Sequence, residues 1–201
     1  SVPAESAPAE AAMADAAPAA VPPAPPAAAA PADGKEFEVK PSNIITREDG
    51  SLVADDRFLI KGKGTAAEPY EVTWEMLTSA EESYDPRIAK KQIPQRIAML
   101  DGKKVRINGY VAFPMYVVQP RELLAMLNQW DGCCIGVPPP PYAAIEVRLA
   151  RPVGDEARLA TYGSVEGTFA IKPYVVGDWL IGLYMMEIAE LKRTQFGGFG
   201  S

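Results

Sequence analysis

The sequence predicts a mainly β protein with short helices interposed, an α+β chain in which a small antiparallel sheet curls on itself. Three observations lead there. Apolar residues recur with period two in "KVRINGYVA", "AIEVRLA" and "SVEGTFAI", as strands with one buried face require. Turn signals at Asp49-Gly50, Gly62, Gly64 and Asp101-Gly102 break the chain into short units. Helical spacing is confined to brief segments, and no window approaches the ~20 uninterrupted apolar residues of a membrane-spanning helix.

Residues 1–36 stand apart. The first 34 hold eight of the 20 prolines, are dominated by alanine, and carry Glu5, Glu10, Asp15 and Asp33 with no Lys or Arg. With no aromatic residue and few large apolar ones, this stretch buries too little to offset its backbone entropy, and it reads as a disordered, semi-extended tether. Such a tether suits an exported domain held away from an anchor. A cytosolic disordered tail is the alternative. The tether carries −4 of the net charge of −6, leaving 20 basic against 22 acidic residues in the remainder, so bulk charge names no partner.

Residues 37–72 alternate short apolar groups with turns and form a strand-and-loop lead-in. Thr73 caps a short helix in "WEMLTSAEESYDP", which Asp85-Pro86 ends. "PRIAKKQIPQRIAML" reads as two short helical turns broken at Pro94. Lys104 to Phe113 is the clearest strand: Val105, Ile107, Gly109 and Val111 share one face, while Arg106, Asn108 and Tyr110 share the other. "PRELLAMLNQW" reads as a short amphipathic helix with Leu123, Leu127 and Trp130 on one side. Two strands follow, at 145–149 and around 164–171 with a bend at Gly167. "DWLIGLYMMEIAEL" is apolar on both faces; Gly182 favours a strand over a helix. A turn feeding a long first strand that coils around the sheet is how five-stranded barrels of the OB type begin, so residues 73–192 are expected to form an OB-like barrel, followed by a flexible tail at 193–201.

The residue inventory excludes much chemistry. No His occurs anywhere, which removes imidazole bases, Ser-His-Asp or Cys-His catalysis, and imidazole zinc sites. Cys133 and Cys134 are the only thiols. Being adjacent, they either form a strained, reducible vicinal disulfide or, on the plainer reading, pack as two small reduced side chains at a turn. Pro138, Pro139, Pro140 and Pro141 make a polyproline II rod of about one turn ending at Tyr142, either a partner-binding ridge or a rigid crossover into the next strand. Lys90, Lys91, Arg96, Lys103, Lys104 and Arg106 gather near Tyr110, a groove that could take single-stranded nucleic acid. A near-neutral domain makes a solvated face the plainer reading.

Three segments carry a resemblance: Trp74 with "WEML"; "LDGKKVRINGYVAFP" at 100–114; and "CCIGVPPPPYAAIEV" at 133–147. Together with "VEGTFAI" and "GLYMMEIAEL" they resemble a bacterial family known as domain of unknown function 3299, over roughly residues 70–191. The resemblance implies an exported or lipoprotein-like envelope protein, in some cases encoded beside MacB-like ABC transporters and under zinc-responsive control. The family motif runs Cys-Ile-His-Val-Pro-Pro-Pro-Pro followed by Asn-Gln. This chain keeps Cys134, Ile135, Val137 and the four prolines, but has Gly136 in place of His and Ala143-Ala144 in place of the amides. A Cys beside Gly has neither an imidazole partner nor a base.

No catalytic residue, metal or cofactor is therefore assigned. The expected function is that of a non-enzymatic binding or adaptor module of the cell envelope, periplasmic, with a processed N-terminus, a lipid anchor upstream and an envelope protein such as an ABC transporter as partner. The binding candidates are Cys133, Cys134, Pro138 to Pro141, Tyr142 and Tyr110. The alternatives are a thiol- or metal-dependent enzyme or redox protein centred on Cys133 and Cys134, and a nucleic-acid-binding OB-type barrel.

Overall fold

A computed structural model describes residues 37–114, 117–130 and 139–193. The lead-in supplies β1 (Glu38–Lys40), β2 (Ile44–Thr46), β3 (Leu52–Ala54), β4 (Phe58–Ile60) and β5 (Tyr70–Glu71). Helix α1 (Trp74–Thr78) follows, capped as expected by the Thr73 hydroxyl, which accepts from the Met76 N–H. A 3-10 turn over Ser79–Glu82, strand β6 (Tyr84–Asp85) and a second 3-10 turn over Pro86–Ile88 come next. Then β7 (Lys90–Pro94) runs into α2 (Gln95–Ala98). The expected pair of helical turns in this stretch is therefore split by a strand: β7 lies between β1 and β6, whose pairing supplies what Lys90-Lys91-Gln92 lack in periodicity.

The principal sheet holds β8 (Lys104–Ala112), β9 (Glu122–Met126), β10 (Ala144–Leu149), β11 (Tyr162–Val176) and β12 (Trp179–Arg193), with α3 (Asp155–Arg158) between β10 and β11. Strand β8 buries Val105, Ile107, Gly109 and Val111, the face the alternation marked. It pairs with β9 on one side and β11 on the other. Strand β9 pairs on to β10, β10 to β12 and β12 to β11, so the pairings form a circuit of five strands.

Two expectations are corrected here. "PRELLAMLNQW" contains strand β9 rather than a helix. Leu123 and Ala125 point inward with period two, and Leu127 lies exposed instead of covering the core. The helix-forming Leu, Ala and Met side chains are overridden by backbone partners on both edges of the segment. The sheet is also mixed rather than antiparallel: β10 runs parallel to β12, and β5 parallel to β8.

The core unites both parts of the chain. Phe58, Ile60, Met76, Leu77, Ile93 and Ile97 pack in one cluster with Val105, Ile145, Val165, Phe169, Leu183 and Met186. The buried Tyr184 hydroxyl donates to the Leu77 carbonyl, tying β12 to the end of α1.

Strands β11 and β12 are joined by a two-residue turn at Gly177-Asp178, where Gly177 has φ of +61°. Their register shifts at Gly167, the predicted bend: a Cβ there would stand 2.6 Å from Met186 Cγ and 2.8 Å from Ala189 Cβ. Opposite this point Ile188 has φ of +50° and is 67% exposed. A β-branched residue in the left-handed region costs about 1–2 kcal/mol, and little burial is at stake. Ile188→Gly is therefore expected to stabilise the protein by ~0.5–1 kcal/mol, after the greater freedom of glycine in the unfolded chain offsets part of the relief. Urea denaturation checks this; an unchanged or lower midpoint would contradict the strain.

Beyond residue 168, strand β11 outruns its partner β8. The Phe169 N–H reaches the Lys103 carbonyl and the Ile171 N–H reaches Asp101 Oδ1. A further register shift against β12 follows between Ile171 and Tyr174, and Pro173 occupies it.

Candidate binding surface

The proline rod is described from Pro139 onward. Pro140 is exposed with polyproline-like angles of −54° and 141°, and a 3-10 turn over Pro141–Ala143 delivers the chain into β10. Cys133, Cys134 and Pro138 lie outside the described residues, as does Gly136. Tyr142 points inward: it is buried, and its hydroxyl donates to the Tyr84 carbonyl. Burial first, and the nearby Asp85 and Glu81 carboxylates second, push its pKa up to about 12. The expected recognition tyrosine is thus the anchor of the crossover, and the family's amide positions, Ala143 and Ala144, are buried and half-buried around it. Tyr142→Phe is expected to cost about 1 kcal/mol, the worth of one buried hydrogen bond, as measured by chemical denaturation. Equal stability of the two chains would show that the bond contributes nothing.

Tyr142 leads to a surface. Next to Tyr84, the Asp85 carboxylate binds Arg87 in a fork, with Nε at 3.0 Å and Nη2 at 2.9 Å, and also accepts from the Arg87 backbone N–H. The hydrogen bond with Arg87 holds Asp85 below its ordinary pKa, and the same bond raises that of Arg87. The clamped guanidinium lies 5.2 Å from the centre of the Trp179 ring. Trp179 is 63% exposed, at the base of the β11–β12 turn and directly opposite Val176. Val176, Ile181 and Ile88 are each more than half exposed, with Ile181 at the point where the register against β11 slips by one residue. A solvent-facing apolar surface with a fixed arginine at its edge results. Sequence reasoning missed Trp179, Ile181, Arg87 and Ile88. The signal was present in "DWLIGLY", apolar on both faces where a half-buried strand needs only one.

Tyr110 stands elsewhere, half-buried on β8, with Tyr162 edge-on at 5.3 Å and 82°. The six basic residues around it in the sequence do not form one groove. Lys90 and Lys91 lie on β7 and Arg96 is buried on α2. Arg106 is held by Glu166 at 2.9 Å and Glu71 at 3.4 Å. Two of the six, Arg96 and Arg106, are thus paired with carboxylates.

A shallow cavity of about 330 Å³ lies over α1, lined by Arg57, Glu75, Thr78, Ser79, Glu81 and Glu82, with Arg57 and Glu75 paired at 2.8 Å. Among the described residues no three His, Cys, Asp or Glu side chains converge as metal ligands would. Among them also, no helix is long and apolar enough to cross a membrane.

A family model described as "Protein of unknown function (DUF3299)" matches residues 45–192. The match takes in most of the lead-in, beyond the span of the resemblance read from the sequence. A crystal structure of a DUF3299 family protein from Pseudomonas aeruginosa PAO1 is similar, at 21% identity and a TM-score of 0.43, covering 64% of this chain and 97% of that chain. No curated protein matches.

Proposed function

The chain belongs to the family of proteins of unknown function DUF3299, and from that premise we propose that it is a non-enzymatic binding or adaptor module of the bacterial cell envelope. In this reading the protein is exported to the periplasm. Residues 73–192 form an OB-like barrel behind the lead-in at 37–72. The five-strand circuit supports the barrel, because its order of β8-β9-β10-β12-β11 with one parallel pair is the order in which a five-stranded Greek-key barrel closes. The partner is an envelope protein, with an ABC transporter as the leading candidate.

The observation that carries the binding role is the exposed pair of Val176 and Trp179, opposite each other at the β11–β12 turn, with Arg87 clamped beside them. Exposed apolar groups gathered in one place mark interaction sites, and Trp and Arg are the residues most enriched where protein interfaces concentrate their energy. A photoreactive side chain placed at Ile181 is expected to give a discrete protein adduct in the envelope fraction of the host cell. Trp179→Ala should reduce that adduct about tenfold, equivalent to ~1.4 kcal/mol, without lowering the unfolding midpoint. Adducts confined to the cytosolic fraction, or undiminished by the substitution, would overturn the proposal.

A further inference from the structure

Strand β1 is fastened differently from every long strand of the fold. It runs parallel to β7 for three residues, Glu38 opposite Gln92, Val39 opposite Ile93 and Lys40 opposite Pro94. All three of its side chains are exposed, Val39 at 48%, so the strand itself buries no apolar group. Phe37, just before it, is partly buried against the core and is the one apolar foothold. Pro94 has no N–H to contribute, and parallel pairs are slightly weaker per residue than antiparallel ones. The side-chain tie is the Gln92 amide donating to the Glu38 carboxylate at 3.2 Å.

The chain immediately after Pro41 is held firmly. The Ser42 N–H donates to Gln95 Oε1 at 3.2 Å, the Asn43 N–H to Asp55 Oδ1 at 2.7 Å, and Arg96 reaches Ser42 Oγ. A strand with little burial, next to a pinned segment, opens locally at a small fraction of the global stability and pivots at Pro41. When it lifts, β7 presents an unpaired edge with Lys90 and Lys91 exposed beside it.

We infer that β1 is an exchangeable strand, and that the edge of β7 takes β1 of a second copy of this chain, joining two molecules by reciprocal strand exchange. The complementarity is explicit, because the sequence that fits this edge in register and hydrogen bonding is Glu38-Val39-Lys40 itself, with its carboxylate on the Gln92 amide. Exchange re-forms the β1–β7 pairing and differs from the closed form in the hinge at Pro41 and in the effective concentration of the strand, of the order of millimolar for a short connection. The dilute protein is therefore a closed monomer. A higher local concentration of the chain drives the exchange.

Full-length chain carrying Cys133→Ser, Cys134→Ser, Glu38→Cys and Gln92→Cys is prepared with natural and with ¹⁵N nitrogen, mixed equally, oxidised and digested. Cross-linked peptides pairing positions 38 and 92 are expected to include light–heavy hybrids, whose share rises from ~10 μM to ~1 mM protein. A Glu38→Cys/Lys63→Cys chain, whose second cysteine lies outside the β1–β7–β6 sheet, sets the collisional background. Hybrids no more frequent than that background at every concentration would overturn the inference. Hydrogen exchange on the unsubstituted chain tests it independently. The amides of residues 38–40 are expected to exchange at least about a hundredfold faster than those of β11. Equal protection would mean that β1 opens only with the whole fold and would equally overturn it.

Discussion

Replacing Trp74 with alanine is expected to destabilise the protein by about 3–5 kcal/mol, the usual cost of removing a large aromatic side chain from a packed core. Trp74 is the first residue of α1, yet its indole reaches across to the principal sheet. It is 7% exposed, and its Nε1–H donates to the Asn108 carbonyl at 2.8 Å. The ring lies where the adjacent residue of β8 has no side chain. A Cβ on Gly109 would stand 2.9 Å from Trp74 Nε1, 3.1 Å from Cζ2 and 2.7 Å from the Met126 carbonyl oxygen. Alanine at position 74 opens a cavity and leaves the Asn108 carbonyl without this donor. Trp74→Phe retains most of the ring and should cost much less, ~1–2 kcal/mol for the hydrogen bond and the smaller volume.

Gly109→Ala provides the reciprocal test. It should destabilise the wild-type chain by overpacking, by about 1–3 kcal/mol, and cost less when Trp74 is already alanine. Part of the penalty persists in that background, because the Met126 carbonyl does not move with the indole. Urea denaturation of the four chains measures the coupling. A Trp74→Ala cost below about 1 kcal/mol, or strict additivity with Gly109→Ala, would contradict the packing described.

Arg96 is expected to be the second position of large effect, with Arg96→Met costing about 3 kcal/mol at neutral pH. Its guanidinium is buried between the lead-in and the 3-10 turn after α1. Nη1 meets Asp55 Oδ2 at 2.5 Å, Nη2 donates to Ser79 Oγ at 2.8 Å, and the group lies 4.7 Å from the centre of the Phe58 ring. Methionine fills similar volume but leaves the Asp55 carboxylate without its counter-ion.

The pair also predicts a pH dependence. Burial works to raise the pKa of Asp55, but the Asn43 N–H, the Ser42 hydroxyl and Arg96 together outweigh it and hold the carboxyl below its ordinary value of 3.8. A carboxyl depressed in the folded state contributes stability that is complete above the unfolded pKa, near 3.9, and is lost as pH falls through the lower folded value. Asp55→Asn removes this contribution while tolerating the left-handed φ of +53° at that position. The stability gap between wild type and Asp55→Asn is therefore expected to be widest above pH 5 and to narrow as pH falls below about 4. A gap that is constant from neutral pH to acid would show that the carboxylate's charge is not what matters.

Three of the strands legible in the sequence, β8, β10 and β11, share one property: each carries its own period-two burial over six residues or more, whereas β12 was legible through Gly182 in a run apolar on both faces. Strand β9 was not legible because Leu123-Leu124-Ala125-Met126 satisfies helical spacing as well as alternation, and its state is decided by β8 and β10, neither adjacent to it in the local pattern. The parallel pairing of β10 with β12 joins segments about 40 residues apart, and no local signal encodes it. At the candidate surface, Pro139 to Tyr142 were found by composition, but composition does not say which way Tyr142 faces. Arg96 likewise counted toward a basic run, and packing turned it inward against Asp55. Trp179 was overlooked because a run apolar on both faces reads first as a buried strand, and the exposed half shows only when β11 and β12 extend beyond the sheet.

That extension has a further consequence. A two-stranded ribbon projecting past its sheet is open to self-association, because its free edge can template a strand from a neighbouring molecule and continue into insoluble aggregates. Pro173 lies beyond the last pairing of β11 with β8, that of Thr168 with Lys104, and withdraws one backbone donor in a register irregularity that adds local twist. The ribbon that displays Trp179 thus carries a local brake on edge-to-edge pairing along β11, while the tryptophan itself stays exposed.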